Sequence, residues 1–149
     1  MTEENTIIET VSERNQSYWS DTKELLEDDD PRVKNSGAVD LLIGMTPELL
    51  EENYKAYEEG FNLTLKALSL EDTDTYMYYP VRVCAIHILE NVLEHIRKNP
   101  KIEYAGIYAE AALAIEDKAY DRNEHIRVRF PATEAVRRYL KSCDEVVFK

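Results

Sequence analysis

The chain has 149 residues, 44% of them apolar and 32% charged, and a formal net charge of -12. That length buries a core without disulfides or metals, and that balance excludes a disordered tail and a chain built from membrane spans. The acidity disfavours nucleic acid as a partner, because a polyanionic backbone is repelled unless the basic residues are sharply segregated.

Ile7, Ile8, Val11, Tyr18, Trp19 and Leu25-Leu26 recur at three- and four-residue spacing, which predicts one or two amphipathic helices between Asn5 and Glu27. Asp28-Asp29-Asp30-Pro31 stops that pattern and starts a helix to about Ile43, with Asp30 as N-cap, Pro31 at the first helical position and Gly44 as terminator. Thr46-Pro47-Glu48-Leu49 is a second start signal, and Leu49, Leu50, Tyr54, Tyr57, Phe61, Leu65 and Leu68 carry its apolar stripe to about Leu70. Residues 71–79 read as a polar, tyrosine-rich turn. Helices are then expected over about Pro80–Lys98, Ile102–Ala119 and His125–Ser142, separated by Asn99-Pro100 and by residues 120–124. Pro131 is expected to kink the last helix or delay its start, leaving Ile126, Val128 and Phe130 as an extended lead-in. A tail over 143–149 holds a short extended piece at Val146-Val147-Phe148. The expectation is one all-α domain over 1–149, with six helices paired at about 15–45, 47–98 and 102–142.

The three pairs resemble one another. The triplets Leu26-Glu27-Asp28, Leu70-Glu71-Asp72 and Ile115-Glu116-Asp117 lie 44 and 45 residues apart and read as the ends of the first helices. The second helices open with Val33-Lys34, Val81-Arg82 and Val128-Arg129, followed four positions on by Gly37, Ala85 and Ala132. Eight positions on come Leu41, Leu89 and Val136, so valine, small residue and aliphatic share one helix face that a partner helix approaches closely. Between triplet and valine the spacing lengthens, from 7 to 11 to 13 positions. An apolar helix end, an acidic turn, a valine-basic step and a small residue, repeated at this period, resemble HEAT repeats of the armadillo type. The resemblance covers about residues 15–142. It implies a short right-handed α-solenoid of about three helical hairpins; an irregular six-helix bundle is the alternative.

Charge is distributed unevenly, with 19 acids against 6 bases in residues 1–75 and 11 against 12 in 76–149. Lys34, Arg82 and Arg129 either line a concave face for an acidic ligand or, the preferred reading, pair with acidic turns at Asp28, Asp72 or Asp117. Tyr76, Tyr78 and Tyr79, with Met77, make a candidate protein-binding patch, since tyrosine offers large area at low entropic cost; the alternative is that two of the four cap the core. Arg122, Arg127, Arg129, Arg137 and Arg138 cluster late in the chain, but Asp121, Glu124 and Glu134 interrupt them, which disfavours a nucleic-acid groove. The acidic half of a second copy, or plain solvation, suits them better.

His87, Glu90 and Glu94 share a helix stripe, yet no second helix supplies a matching His-Glu set, so no metal site is expected. Cys84 neighbours Val81, Ala85 and Ile88 and reads as a buried apolar thiol rather than a nucleophile. No phosphate-binding, dinucleotide or nucleophile-elbow glycine pattern is present, and neither catalytic residues nor a cofactor are expected. Two cysteines are too few for a disulfide framework. The opening Met1-Thr-Glu-Glu-Asn-Thr has no basic, apolar leader character, so a cytoplasmic chain is expected, without membrane association.

The expected function is a protein-binding adaptor or regulatory subunit without catalysis of its own. Its expected contacts are Tyr76, Tyr78, Tyr79, Arg82, Glu90 and Arg137, and end-face pairing gives a homodimer. Two other classes compete. One is an acidic inhibitor or immunity-type protein that blocks a basic partner. The other is a HEAT-like enzyme, a lyase or a DNA glycosylase.

Overall fold

The computed structural model describes residues 18–70, 75–141 and 146–149, with the backbone alone for 75–79. These residues form seven α-helices and no strand: α1 (Ser20–Glu27), α2 (Pro31–Gly44), α3 (Pro47–Glu52), α4 (Tyr54–Leu68), α5 (Thr75–Lys98), α6 (Ala105–Tyr120) and α7 (Ile126–Ala135). The expected helices before residue 18 lie outside the described residues.

Local chemistry explains most boundaries. The Asp30 carboxylate accepts the Arg32 N–H at 2.9 Å, and Pro31 occupies a position whose amide would have no helical partner. The Thr46 hydroxyl accepts the Leu49 N–H at 3.2 Å ahead of Pro47. The helix expected from Pro47 to Leu70 is broken at Asn53, whose side chain accepts the Ala56 N–H at 3.2 Å and starts α4 anew. Asparagine competes with the helix backbone in this way, which a reading of the apolar stripe alone misses.

Proline position corrects one expectation and decides another. Helix α5 begins at Thr75, inside the segment read as a turn, with Pro80 in its second turn. Helix α7 begins at Ile126, one residue from the expected start at His125, so Pro131 does not delay it and the alternative of an extended lead-in over Ile126, Val128 and Phe130 falls. In both helices the ring sits five residues past the start, where it forfeits only one bond of the first turns. After Ala135 the ladder widens into a π-helical stretch, Val136–Leu140, and the Lys141 N–H reaches back five residues to the Val136 carbonyl at 2.9 Å. The triplet alignment also changes. Glu27 closes α1, but Leu70 lies beyond the end of α4, and Ile115 is a buried residue inside α6, which continues to Tyr120.

The helices pack as three consecutive pairs, α1 with α2, α4 with α5 and α6 with α7. Helix α5 is central and also touches α2 and α7, so the three second helices are neighbours. Its face of Val81, Ala85, Ile86, Leu89, Leu93 and Ile96 is fully buried. Burial of such side chains supplies about 1.5–3 kcal/mol each before entropy is counted. Trp19 wedges between α2 and α4. A Cβ on Gly44 would lie 2.6 Å from its ring, and one on Gly60 would lie 2.7 Å from it and collide with the Met45 sulfur.

A short 3-10 turn, Ile102–Tyr104, leads into α6. The tail runs back along it: the Ile102 N–H donates to the Lys149 carbonyl at 3.1 Å and the Lys149 N–H to the Pro100 carbonyl at 2.9 Å. Phe148 packs edge-on against Tyr108, with centroids 5.6 Å apart.

Candidate protein-binding surface

Two of the three repeated basic positions are structural ties. Lys34 Nζ donates to the Leu26 carbonyl at 2.8 Å, and Arg82 Nη1 donates to the Leu70 carbonyl at 2.9 Å. Each base follows its valine and reaches the carbonyl that opens its own triplet, where a helix end leaves acceptors without an intrahelical donor. Arg82 goes further. Its Nε donates to Glu124 Oε1 at 3.0 Å, while Glu124 Oε2 accepts Lys118 Nζ at 2.9 Å and Oε1 also accepts the His125 N–H at 2.9 Å. Burial works against the Glu124 charge, but the bonds from Lys118 and the His125 amide, with the nearby Arg82 charge, hold its pKa below the usual range. Arg82 is only 3% exposed, which corrects its place among the expected contact residues: it ties the second pair to the third. Arg129, third in the series, is half-buried.

Glu90 is a second tie, half-buried and accepting Arg138 Nη1 at 3.1 Å, with His87 Nδ1 at 3.9 Å. Arg97 joins the same two pairs, donating to the Tyr139 carbonyl at 2.9 Å and to the Tyr108 hydroxyl at 3.2 Å. Arg137 is exposed and lies 3.4 Å from Glu134 on its own helical stretch. Tyr76, Tyr78 and Tyr79 belong to the first turns of α5, and their side chains lie outside the described residues. The structure thus brings Glu90 and Arg138 to one seam, leaves Arg137 outside it beside Glu134, and sets Arg82 beneath the surface.

Another charged cluster fastens α3. Glu51 accepts Lys101 Nζ at 2.6 Å and His95 Nε2 at 3.0 Å, and Tyr104 beside them stacks on Tyr54 with centroids 6.2 Å apart. Hydrogen bonds from Lys101 and His95 lower the Glu51 pKa to about 2. A depressed carboxylate pKa adds stability above the unfolded value near 4.5, and that contribution disappears as pH falls toward about 2. Acid unfolding of the wild type is therefore expected to be steeper than that of Glu51→Gln between those two values. Parallel curves in a pH titration of denaturant midpoints would count against this role.

No family model matches this chain, and neither does any curated protein or solved structure. Function has to be read from the residues themselves.

Sequence reasoning missed the outer side of the last pair. Ile126 and Phe130 are 55% and 63% exposed and lie four residues apart, hence on one face of α7, opposite buried Val128 and Ala132. Leu113 and Tyr120 are 61% and 65% exposed and stand seven apart on α6. The signal was present as an i, i+4 pair in the helix expected over His125–Ser142, but the alternative of an extended lead-in before Pro131 left that face unread. Arg122, Arg127 and Arg137 are exposed along the same turn and helix. Elsewhere the chemistry is quiet. Cys84 is half-buried and its thiol pKa is pushed up by burial, which disfavours the thiolate. Among the described residues no group of His, Cys, Asp and Glu is placed to hold a metal, and no helix is long and apolar enough to cross a membrane.

Proposed function

We propose that the chain is a short HEAT-like α-solenoid that works as a protein-binding adaptor or regulatory subunit, with the α6–α7 hairpin as its contact surface. The observation that carries this reading is the exposure of four large apolar side chains, Leu113, Tyr120, Ile126 and Phe130, on one hairpin. Apolar side chains concentrated in this way, with a basic rim, are what protein interfaces cover. The repeat reading is supported by the matching Lys34–Leu26 and Arg82–Leu70 bonds and by three second helices lying side by side. Tyr78 and Tyr79 remain proposed contacts on sequence grounds.

Capture from extracts of the native host tests the proposal, comparing wild type with Phe130→Glu and with the pair Tyr78→Ala and Tyr79→Ala. Phe130 is exposed, so its variant should fold normally while recovering about tenfold less partner, as loss of an interface anchor does. Undiminished recovery by Phe130→Glu overturns the hairpin as the contact surface. Recovery that survives Phe130→Glu and collapses in high salt would instead favour the acidic first pair and an inhibitor role.

A further inference from the structure

We infer that the uncovered face of α7 receives a second copy of this chain, head to tail, with Arg129 of one copy against the acidic α1–α2 turn of the next. The inference rests on the α6–α7 hairpin being a protein-binding surface and names its partner.

The stacking geometry inside the chain supplies the argument. On α5, Arg82, Ile86 and Glu90 form one stripe at four-residue spacing, and that stripe meets the third pair. Arg82 reaches Glu124 in the α6–α7 turn, Glu90 reaches Arg138, and Ile86 between them is fully buried. Counted from the valine that opens each second helix, the matching stripe on α7 is Arg129, Thr133 and Arg137. Among the described residues no helix pair packs on that stripe. Thr133 and Arg137 are exposed, Arg129 is half-buried, and exposed Phe130 stands beside it. Helix α7 therefore presents, uncovered, the same face that α5 uses to bind its neighbour.

The first pair of a second copy has the complementary chemistry. Glu124, the acceptor for Arg82, lies in the turn between the two helices of its pair. The corresponding turn of the first pair is Asp28-Asp29-Asp30, and Asp28 and Asp29 are exposed. Helix α2 also exposes Val39 and Ile43, which can meet Ile126 and Phe130. Charge follows the same polarity: residues 18–45 hold seven acids and three bases, residues 120–141 six bases and three acids. The Arg82–Glu124 bond inside the chain is thus the template for Arg129 against Asp29 between copies. Such a contact joins two different surfaces, so each copy keeps a free end for the next and assemblies grow past the dimer, into a ring or a filament. One helix pair seated on another is a small interface, so association should be weak and depend on concentration.

Sedimentation velocity on the full chain decides it, at about 0.05 M and about 0.5 M salt, where screening lengths differ severalfold. At low salt the mass average should climb beyond two copies of 17.3 kDa as concentration rises, and at high salt it should fall back toward one. Arg129→Glu alone and Asp29→Lys alone should each sediment as monomers. Their equimolar mixture should reassociate, because the charges have exchanged sides. Thr133→Glu, on an exposed position of the same stripe, should be monomeric too and guards against a folding defect in Arg129→Glu. A monomeric wild type at every concentration, or a mixture that stays monomeric, overturns the inference. If the wild type is monomeric while Phe130→Glu still loses its partner from extracts, the hairpin binds a different protein; if neither effect occurs, both readings fall.

Discussion

Glu124→Ala is expected to lower the unfolding free energy by about 3–5 kcal/mol, the range seen when one member of a buried ion pair is removed. The size of the effect follows from what remains. Arg82 is buried, and without the carboxylate its guanidinium keeps, among the described residues, the Leu70 carbonyl. Lys118 loses its 2.9 Å partner, and the His125 amide at the start of α7 loses its acceptor. For a domain whose whole stability is about 5–15 kcal/mol, this is a large fraction. Urea unfolding followed by circular dichroism gives the number. The companion variant Arg82→Met/Glu124→Leu should recover part of the loss, since exchanging a buried pair for apolar side chains is often neutral. A cost for Glu124→Ala below about 1 kcal/mol, the ceiling for most surface pairs, would show that the tie between the second and third pairs is not buried in solution.

Trp19→Ala is expected to cost a similar amount, about 3–5 kcal/mol, as large-to-small changes at buried aromatics do. Trp19 is buried, its Nε1 donates to the Ala56 carbonyl at 2.7 Å, and its ring fills the space left by Gly44 and Gly60. Removing it takes away the ring that joins the start of α1 to both α2 and α4. Trp19→Phe separates packing from hydrogen bonding and should lose about 1 kcal/mol for the bond alone, besides the smaller volume of the ring. It is also the single tryptophan, so its own fluorescence reports whether α1 is docked. Equal stability of Trp19→Ala and wild type in denaturant would remove α1 from the cooperative core.

Helix identity was legible where capping chemistry and apolar spacing agreed. Asp30-Pro31 and Thr46-Pro47 announce α2 and α3, and both side chains make the bonds their types suggest. Where two local rules conflict, sequence reading failed. Asn53 lies within a continuous apolar stripe, and the stripe hides the break that its side chain makes. Pro80 and Pro131 look like barriers, yet near a helix start each costs little, and tertiary burial of Val81 and Val128 holds the chain helical.

The charged positions show a similar division. That Lys34 and Arg82 serve structure could be anticipated from their recurrence beside acidic turns. Their actual acceptors, two backbone carbonyls and Glu124, could not, because carbonyl direction and the side-by-side placement of α5 and α7 are tertiary facts. The surface at Ile126 and Phe130 stayed unread because Pro131 allowed either a helix from His125 or an extended lead-in, and only the helix puts the two residues on one face.

The central claim is that the internal charges hold the pairs together and leave the α6–α7 hairpin as the face that meets another protein. Hydroxyl-radical footprinting of the captured complex tests it most directly, because Tyr120 and Phe130 are exposed and reactive in the free chain. The account predicts that oxidation of Phe130, and of Tyr120 with it, falls severalfold on binding. Unchanged oxidation of both residues in the complex, with protection elsewhere, would contradict it.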